Sequence, residues 1–187
     1  MKLVLASGSP RRRDLLTAIG VKISQICPAN ILEERQHGES PLQYCQRLAT
    51  EKSQAKNFPN AIVLAADTIV TQADLVYEKP IDDLDALRIL LSLQGTWHEV
   101  ITAWAIYNCN SLQCIHGHAI SGVRFRSLTQ NECEAYIQTQ EGKDKAGGYG
   151  IQGLGAALVS EIRGSYSNIV GLPMEQIIPQ LQQHLIF

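Results

Sequence analysis

Two stretches of this sequence carry residue types that can do chemistry. The first surrounds Asp67, which interrupts the run Ala61-Ile62-Val63-Leu64-Ala65-Ala66-Asp67-Thr68-Ile69-Val70. A carboxylate in so apolar a strand is costly to bury unless something pairs with it or it lies at a cleft. Ile69 and Val70 follow it, which argues against a strand-end cap, so Asp67 reads as a metal ligand, a general base, or both. The second stretch is Ser7-Gly8-Ser9-Pro10-Arg11-Arg12-Arg13. Ser7-Gly8 makes a turn, Ser9 suits an N-cap, and Pro10 suits the first helical position. Helix starts favour acids by roughly 0.3–1 kcal/mol each, yet this one opens on three arginines. Backbone N–H groups, the helix dipole and guanidinium forks together suit a phosphate. The alternative is that the arginines fan into solvent or pair with Asp14.

Other candidates are weaker alone. Glu33 and Glu34 lie in a polar loop and could reach a metal, although solvent exposure is the ordinary fate of such a pair. Lys52, Lys56 and Lys79 read singly as surface lysines. Ala146-Gly147-Gly148-Tyr149-Gly150-Ile151-Gln152-Gly153 packs four glycines into seven residues, which lets backbone approach a ligand closely. It is neither a P-loop nor a dinucleotide fingerprint. Cys114, His116 and His118 would share a strand face, but their spacing matches no strong zinc pattern. The assembled parts, a phosphate site with lysines, carboxylates near strand ends and a glycine loop, suit metal-assisted attack on a phosphoanhydride. No Ser–His–Asp or Cys–His set stands out.

The elements that must position these residues follow from pattern. Leu3 to Ala6 is a short buried strand, leading into a helix that stops at Gly20. Val21 to Cys27 reads as a second strand and Pro28 to Glu39 as a loop. Ser40-Pro41-Leu42-Gln43 is a capping box, opening a helix with Tyr44, Leu48 and Ala55 as its apolar stripe. Ala61 to Val70 is a central strand covered on both faces. Leu75 to Pro80 is a short strand. Asp82 or Asp83 then caps a helix carrying Leu84, Leu87, Leu90 and Leu91. Thr96–Asn108 and Cys114–Leu128 form a hairpin. Thr129 to Glu132 is a second capping box, Ala156–Arg163 a last strand, 164–168 a turn, and Leu172-Pro173 opens a final helix kinked at Pro179. Helices alternating with strands, followed by a hairpin, indicate an α/β protein with a mixed sheet.

The 187 residues suffice for one domain with a sizeable core. A formal net charge of −2 gives no global field for nucleic acid, and no apolar stretch would span a membrane. Met1 to Ala6 is too short for a signal peptide. Five scattered cysteines are no disulfide framework and fit a reducing compartment, so a cytoplasmic protein is expected.

Several motifs together resemble the Maf-like nucleoside triphosphate pyrophosphatases: Leu5 to Arg12, Ala65-Ala66-Asp67-Thr68, Lys79-Pro80, Gly95 to Thr102, Asp144 to Gly153, and Gly171-Leu172-Pro173. They span almost the whole chain, so the resemblance implies one Maf-like α/β domain over 1–187. It also implies an elongated mixed β-sheet with flanking helices, in two lobes around a cleft, similar to inosine triphosphate pyrophosphatases. The implied reaction cleaves a nucleoside triphosphate between the α- and β-phosphates, with a divalent cation (Mg²⁺ or Mn²⁺), in a cytoplasmic homodimer. Such enzymes are thought to clear non-canonical or excess nucleotides. Carried over by motif position, Asp67 is the general base and a metal ligand, and Glu33 lies near the metal. Ser7, Arg12, Lys52 and Lys79 contact phosphates, while Arg11, Thr68 and Gln152 shape substrate choice. Arg11 and the Asp144–Gly153 segment look like the dTTP/UTP branch rather than the 7-methyl-GTP branch. The chain departs from the family pattern in two places: Leu32-Glu33 replaces Asp-Glu, removing a possible metal carboxylate, and Glu78 replaces a Gly before Lys79. Rival readings are a nucleotidyltransferase and a nucleotide-sensing protein without turnover.

Overall fold

The computed structural model describes residues 1–183; the expected 1–187 domain runs past them at 184–187. The strands are β1 (Lys2–Leu5), β2 (Gln25–Ile26), β3 (Ala61–Gln72), β4 (Leu75–Tyr77), β5 (Trp97–Asn108), β6 (Gln113–Phe125) and β7 (Val159–Arg163). The helices are α1 (Pro10–Ala18), α2 (Pro41–Gln54), α3 (Asp83–Leu93), α4 (Gln130–Gln138), α5 (Tyr166–Val170) and α6 (Met174–Gln182). One seven-stranded sheet has the order β2-β1-β3-β5-β6-β7, with β4 paired to β3 off that path. It is mixed: β1 pairs with β2 and β3 in parallel, whereas β3–β4 and β6–β7 are antiparallel.

The chain divides into two compact units. Unit 1 comprises Met1–Asp67, Thr102–Ala119 and the chain from Gly171; unit 2 comprises Thr68–Ile101 and Ile120–Val170. In unit 1, successive residues of β1 and β3 feed two separate cores. Leu3, Leu5, Ile62, Leu64 and Ala66 join Leu16 of α1 and Ile177 and Leu181 of α6. Val4, Ala6, Ala61, Val63 and Ala65 face the other way, with Cys109. The central parallel strands are therefore apolar throughout because both faces are covered. In unit 2, α3 buries Ala86, Ile89, Leu90 and Leu93, and α4 buries Cys133, Tyr136 and Ile137.

Five sequence expectations need correction. The second strand shrinks to Gln25–Ile26, because only Val4↔Gln25 and Leu5↔Ile26 pair and both β2 residues are exposed at the sheet edge. On α3, Leu84 is 78% exposed, and the smaller Ala86 with Ile89 and Leu93 takes the core face. On α2, Ala55 is the exposed C-cap, and Cys45 and Ala49 complete the buried stripe. The turn at 164–168 instead leads into α5, because Ser165 Oγ accepts from the Asn168 N–H (3.3 Å) as a helix-starting serine does. Residues 153–158 form a 3-10 turn, so β7 begins only at Val159.

Candidate active site

Unit 1 builds a charged cluster from four sequence-distant segments. The turn after β1 exposes little of Ser7, whose Oγ accepts from the Ser9 N–H (3.2 Å) and from Arg12 Nη1 (3.0 Å). Ser9 itself occupies the N-cap but makes no side-chain cap hydrogen bond. Arg12 also donates through Nε to the Gly171 carbonyl (2.8 Å), tying the α1 start to the Gly171-Leu172-Pro173 motif. Burial lowers the Arg12 pKa, opposed by the field of the Asp67 carboxylate. Arg11 is half-buried beside it, whereas Arg13 is exposed and pairs with Asp14 at 2.9 Å. The three arginines thus divide: solvent and Asp14 take only the third.

The long helix α2 delivers the next group. Its capping box forms as expected, Ser40 and Gln43 each satisfying the other's backbone N–H. Two turns past Cys45, Lys52 sets its Nζ 2.6 Å from Asp67 Oδ1 and 2.8 Å from Glu33 Oε1. Asp67 is 7% exposed, so this ammonium is what makes its burial affordable. Cys45 Sγ donates to the Asp67 carbonyl (3.3 Å), and burial, then the Asp67 charge, pushes the thiol up so that it keeps its proton. The same helix straps down the loop that carries Glu33. Tyr44 Oη donates to the Glu33 carbonyl (3.0 Å) and Arg47 Nη2 to the Glu34 carbonyl (2.8 Å). Arg47 also grips the Glu39 carboxylate at 2.6 Å, holding Glu39 below the usual carboxylate range. Lys56 lies beyond the helix end, 3.4 Å from Cys27 Sγ.

Two carboxylates on one ammonium form an oxygen donor set that fits a hard divalent cation, which takes one or two protein carboxylates and completes its shell with phosphate oxygens and water. Among the described residues no three His, Cys, Asp or Glu side chains converge. Leu32 is 72% exposed where a further carboxylate would stand, so Asp67 and Glu33 are the pair available. His118 Nδ1 instead sits 3.2 Å from Gln46 Nε2.

Unit 2 holds Thr68, half-buried next in the chain to Asp67, and Lys79, exposed between β4 and α3. The Glu78 carbonyl accepts the Gly147 N–H (3.2 Å), and Glu78 is not in the left-handed region, so the position does not require glycine. Gly147 does: its φ is +72°, and an added Cβ would lie 2.9 Å from Val70 Cγ2. Gln152 is exposed, between the buried Ile151 and an exposed Gly153. Behind the glycine stretch stands a buried aromatic group. His98 Nε2 lies 2.8 Å from Tyr149 Oη, and His98, Phe125 and Tyr149 meet edge-on with centroids 4.7–5.4 Å apart. Burial pushes the His98 imidazole down to about 4 and raises the Tyr149 hydroxyl, so both are neutral at pH 7. Cys45, Arg47 and His98 brace the candidate segments, and the sequence pattern does not mark them for that role. Their partners lie far along the chain, and only the Gly95–Thr102 motif offered a signal, for His98.

Residues 2–184 match the family model described as "Maf-like protein". The chain is 43% identical over 185 residues to a "dTTP/UTP pyrophosphatase" of Alcanivorax borkumensis, covering 97% of this chain and 95% of that protein. It is 46% identical over 184 residues to one of Shewanella oneidensis, covering 93% of each, and 45% over 177 to one of Vibrio cholerae, covering 92% of each. Among solved structures, a HAM1 protein from Coxiella burnetii superposes with a TM-score of 0.56 at 13% identity, over 98% of this chain and 99% of that one. That likeness concerns the fold.

Proposed function

The chain belongs to the Maf-like family, and from that premise we propose that it is a nucleoside triphosphate pyrophosphatase acting on dTTP, UTP and related modified pyrimidine nucleotides. Water adds to the α-phosphorus as the bond from that phosphorus to the α,β-bridging oxygen breaks, giving the monophosphate and pyrophosphate. The observation that carries this reading is the buried Asp67 carboxylate, paired with Lys52 and within the field of Arg12. Asp67 accepts the proton of the attacking water. Ser7, Arg12, Lys52 and Lys79 hold phosphate oxygens, and Arg11, Thr68 and Gln152 select the nucleotide. When bound on Asp67 and Glu33, Mg²⁺ or Mn²⁺ would polarise the α-phosphate and acidify the water.

We read residues 1–187 as one functional domain, working in the cytoplasm as a homodimer. The five cysteines are all free thiols, and among the described residues no helix is long and apolar enough to cross a membrane. Light scattering at the monomer mass would overturn the dimer. The function is tested by pyrophosphate release with Mg²⁺ or Mn²⁺ across UTP, dTTP, CTP, 5-methyl-UTP, ITP and 7-methyl-GTP. Turnover of UTP and dTTP supports reaction and branch. Turnover of 7-methyl-GTP alone keeps the reaction and overturns the assignment of Arg11, Thr68 and Gln152. Tight binding with no product replaces the enzyme by a nucleotide sensor.

A further inference from the structure

The segment that carries Gln152 is closed at its neck by one carboxylate. After α4 the chain passes Gln140 in the left-handed region (φ +58°), a conformation that residues other than glycine adopt reluctantly, and this reversal delivers Glu141. Glu141 Oε1 accepts from the Gly155 N–H (2.8 Å) and from Tyr136 Oη (3.1 Å), and Oε2 accepts from the Leu154 N–H (2.9 Å). Tyr136 Oη in turn accepts the Gly150 N–H (3.1 Å). Burial pushes the Tyr136 hydroxyl up, so its one proton stays to be donated to Glu141. Burial also pushes the Glu141 carboxyl up, but the two amides, the Tyr136 hydroxyl and the nearby Lys145 outweigh it and leave the group below its ordinary value.

One carboxylate therefore reaches residues 150, 154 and 155, on both sides of Gln152. Two positions of the loop require glycine, Gly153 by its φ of +69° and Gly155 by close approach. A Cβ on Gly155 would lie 2.0 Å from the Gly150 carbonyl oxygen, and one on Gly153 would lie 2.5 Å from Glu141 Oε2. An ionised carboxylate is acceptor-only, which is what three converging donors require; an amide at the same place would turn its NH2 toward one of them.

We propose that Glu141 is a positioning residue for substrate selection, acting through the Gln152 loop, with Tyr136 as its relay to Gly150. The proposal rests on the reading of Gln152 as a selectivity residue. The test compares wild type, E141Q, Y136F, Q152A and the double variant E141Q/Q152A, by kcat and KM for UTP and GTP. In E141Q the preference for UTP over GTP falls about ten-fold or more, and the double variant shows the same preference as Q152A alone. Y136F shifts the preference in the same direction by less, and so carries the test if E141Q does not fold. Hydrogen exchange at the Leu154 and Gly155 amides accelerates in E141Q. An unchanged preference, or an equal loss of kcat on both nucleotides that adds to the effect of Q152A, overturns the proposal. Failure of the hydrolase reading shows separately, as no pyrophosphate from wild type with any nucleotide. The comparison then moves to calorimetric binding of UTP and GTP: a preference lost in E141Q upholds the proposal, while an unchanged preference or no binding overturns it.

Discussion

The charged cluster of unit 1 and the glycine loop of unit 2 are held by opposite means. In unit 1, charged side chains from β3, α2 and the Pro28–Glu39 loop are fixed on one another by ion pairs at 2.6–2.8 Å, and further side chains hold the backbone carbonyls beneath them. In unit 2 the backbone itself is the fixed object. Its amides at Gly150, Leu154 and Gly155 are bound by Tyr136 and Glu141, and a neutral aromatic group sits behind Tyr149. Preset charge suits rate acceleration, where the stabilising groups must not reorganise. Preset backbone shape suits discrimination between ligands. On the function proposed above, the Asp67 cluster bears on how fast the protein turns over and the loop around Gln152 on which nucleotide it accepts, while Arg11 brings a selecting group into unit 1 and Lys79 a phosphate-holding one into unit 2.

The sharpest way to break this comparison is Asp67→Asn. The change keeps size, and Lys52 retains Glu33 as a partner at 2.8 Å, so the fold survives. Pyrophosphate release is expected to fall by about 10²–10⁴-fold, the usual contribution of a general base, with nucleotide preference unaltered. Near wild-type turnover would remove Asp67 from the chemistry.

Next in size is a pH effect confined to unit 2. The unfolded His98 imidazole takes its proton at the ordinary 6.5, the buried one only near 4. Between these values the unfolded chain holds the extra proton, so folding stability falls as pH drops from about 6.5 to about 4. The loss approaches about 3 kcal/mol and is absent above that window. His98→Phe should flatten this slope in denaturant titrations at pH 7 and pH 4.5; an equally steep slope in the variant would assign it elsewhere. Glu132, depressed to about 2 chiefly by the Thr129 backbone N–H, adds a loss in the same direction only below its ordinary 4.5, in both proteins.

Gln152→Ala should cost about ten-fold in preference for UTP over purine nucleotides while sparing kcat on UTP. Arg11→Ala, made in unit 1, should raise KM for triphosphates or blur the choice among them, and unchanged kinetics across nucleotides would remove Arg11 from the site. The smallest effect is expected for Arg13→Ala. Its pair with Asp14 is exposed on both sides, worth no more than about 0.5 kcal/mol, and turnover should stay at the wild-type value.

What could be read from the sequence was what short-range physics writes there. Pro10, Ser40, Asp82 and Thr129 each mark a helix start within a few residues, and all four helices begin there. The β3 run announces a strand covered on both faces, and Asp67 stands out against it because its burial needs a partner. The partner was not legible. Lys52 looks like any surface lysine until α2 brings it to Asp67 of β3, and Glu141 looks like part of a charged linker until Tyr136 and Gly155 meet it. The same limit explains Leu84. Leucine is the stronger apolar signal, but helical phase put Ala86 and Ile89 inward. Hydrogen bonds between one element and another leave no periodic mark in either.

The division of the chain into units has an evolutionary consequence. Its junctions fall at 67/68, 101/102, 119/120 and 170/171, and the first three lie inside β3, β5 and β6 rather than in loops. Neither unit is a continuous stretch of sequence, so no single recombination event can exchange one for the other. Asp67 and Thr68 stand on either side of one peptide bond. Change in either unit is therefore inherited as point changes within one whole rather than as an exchange of modules.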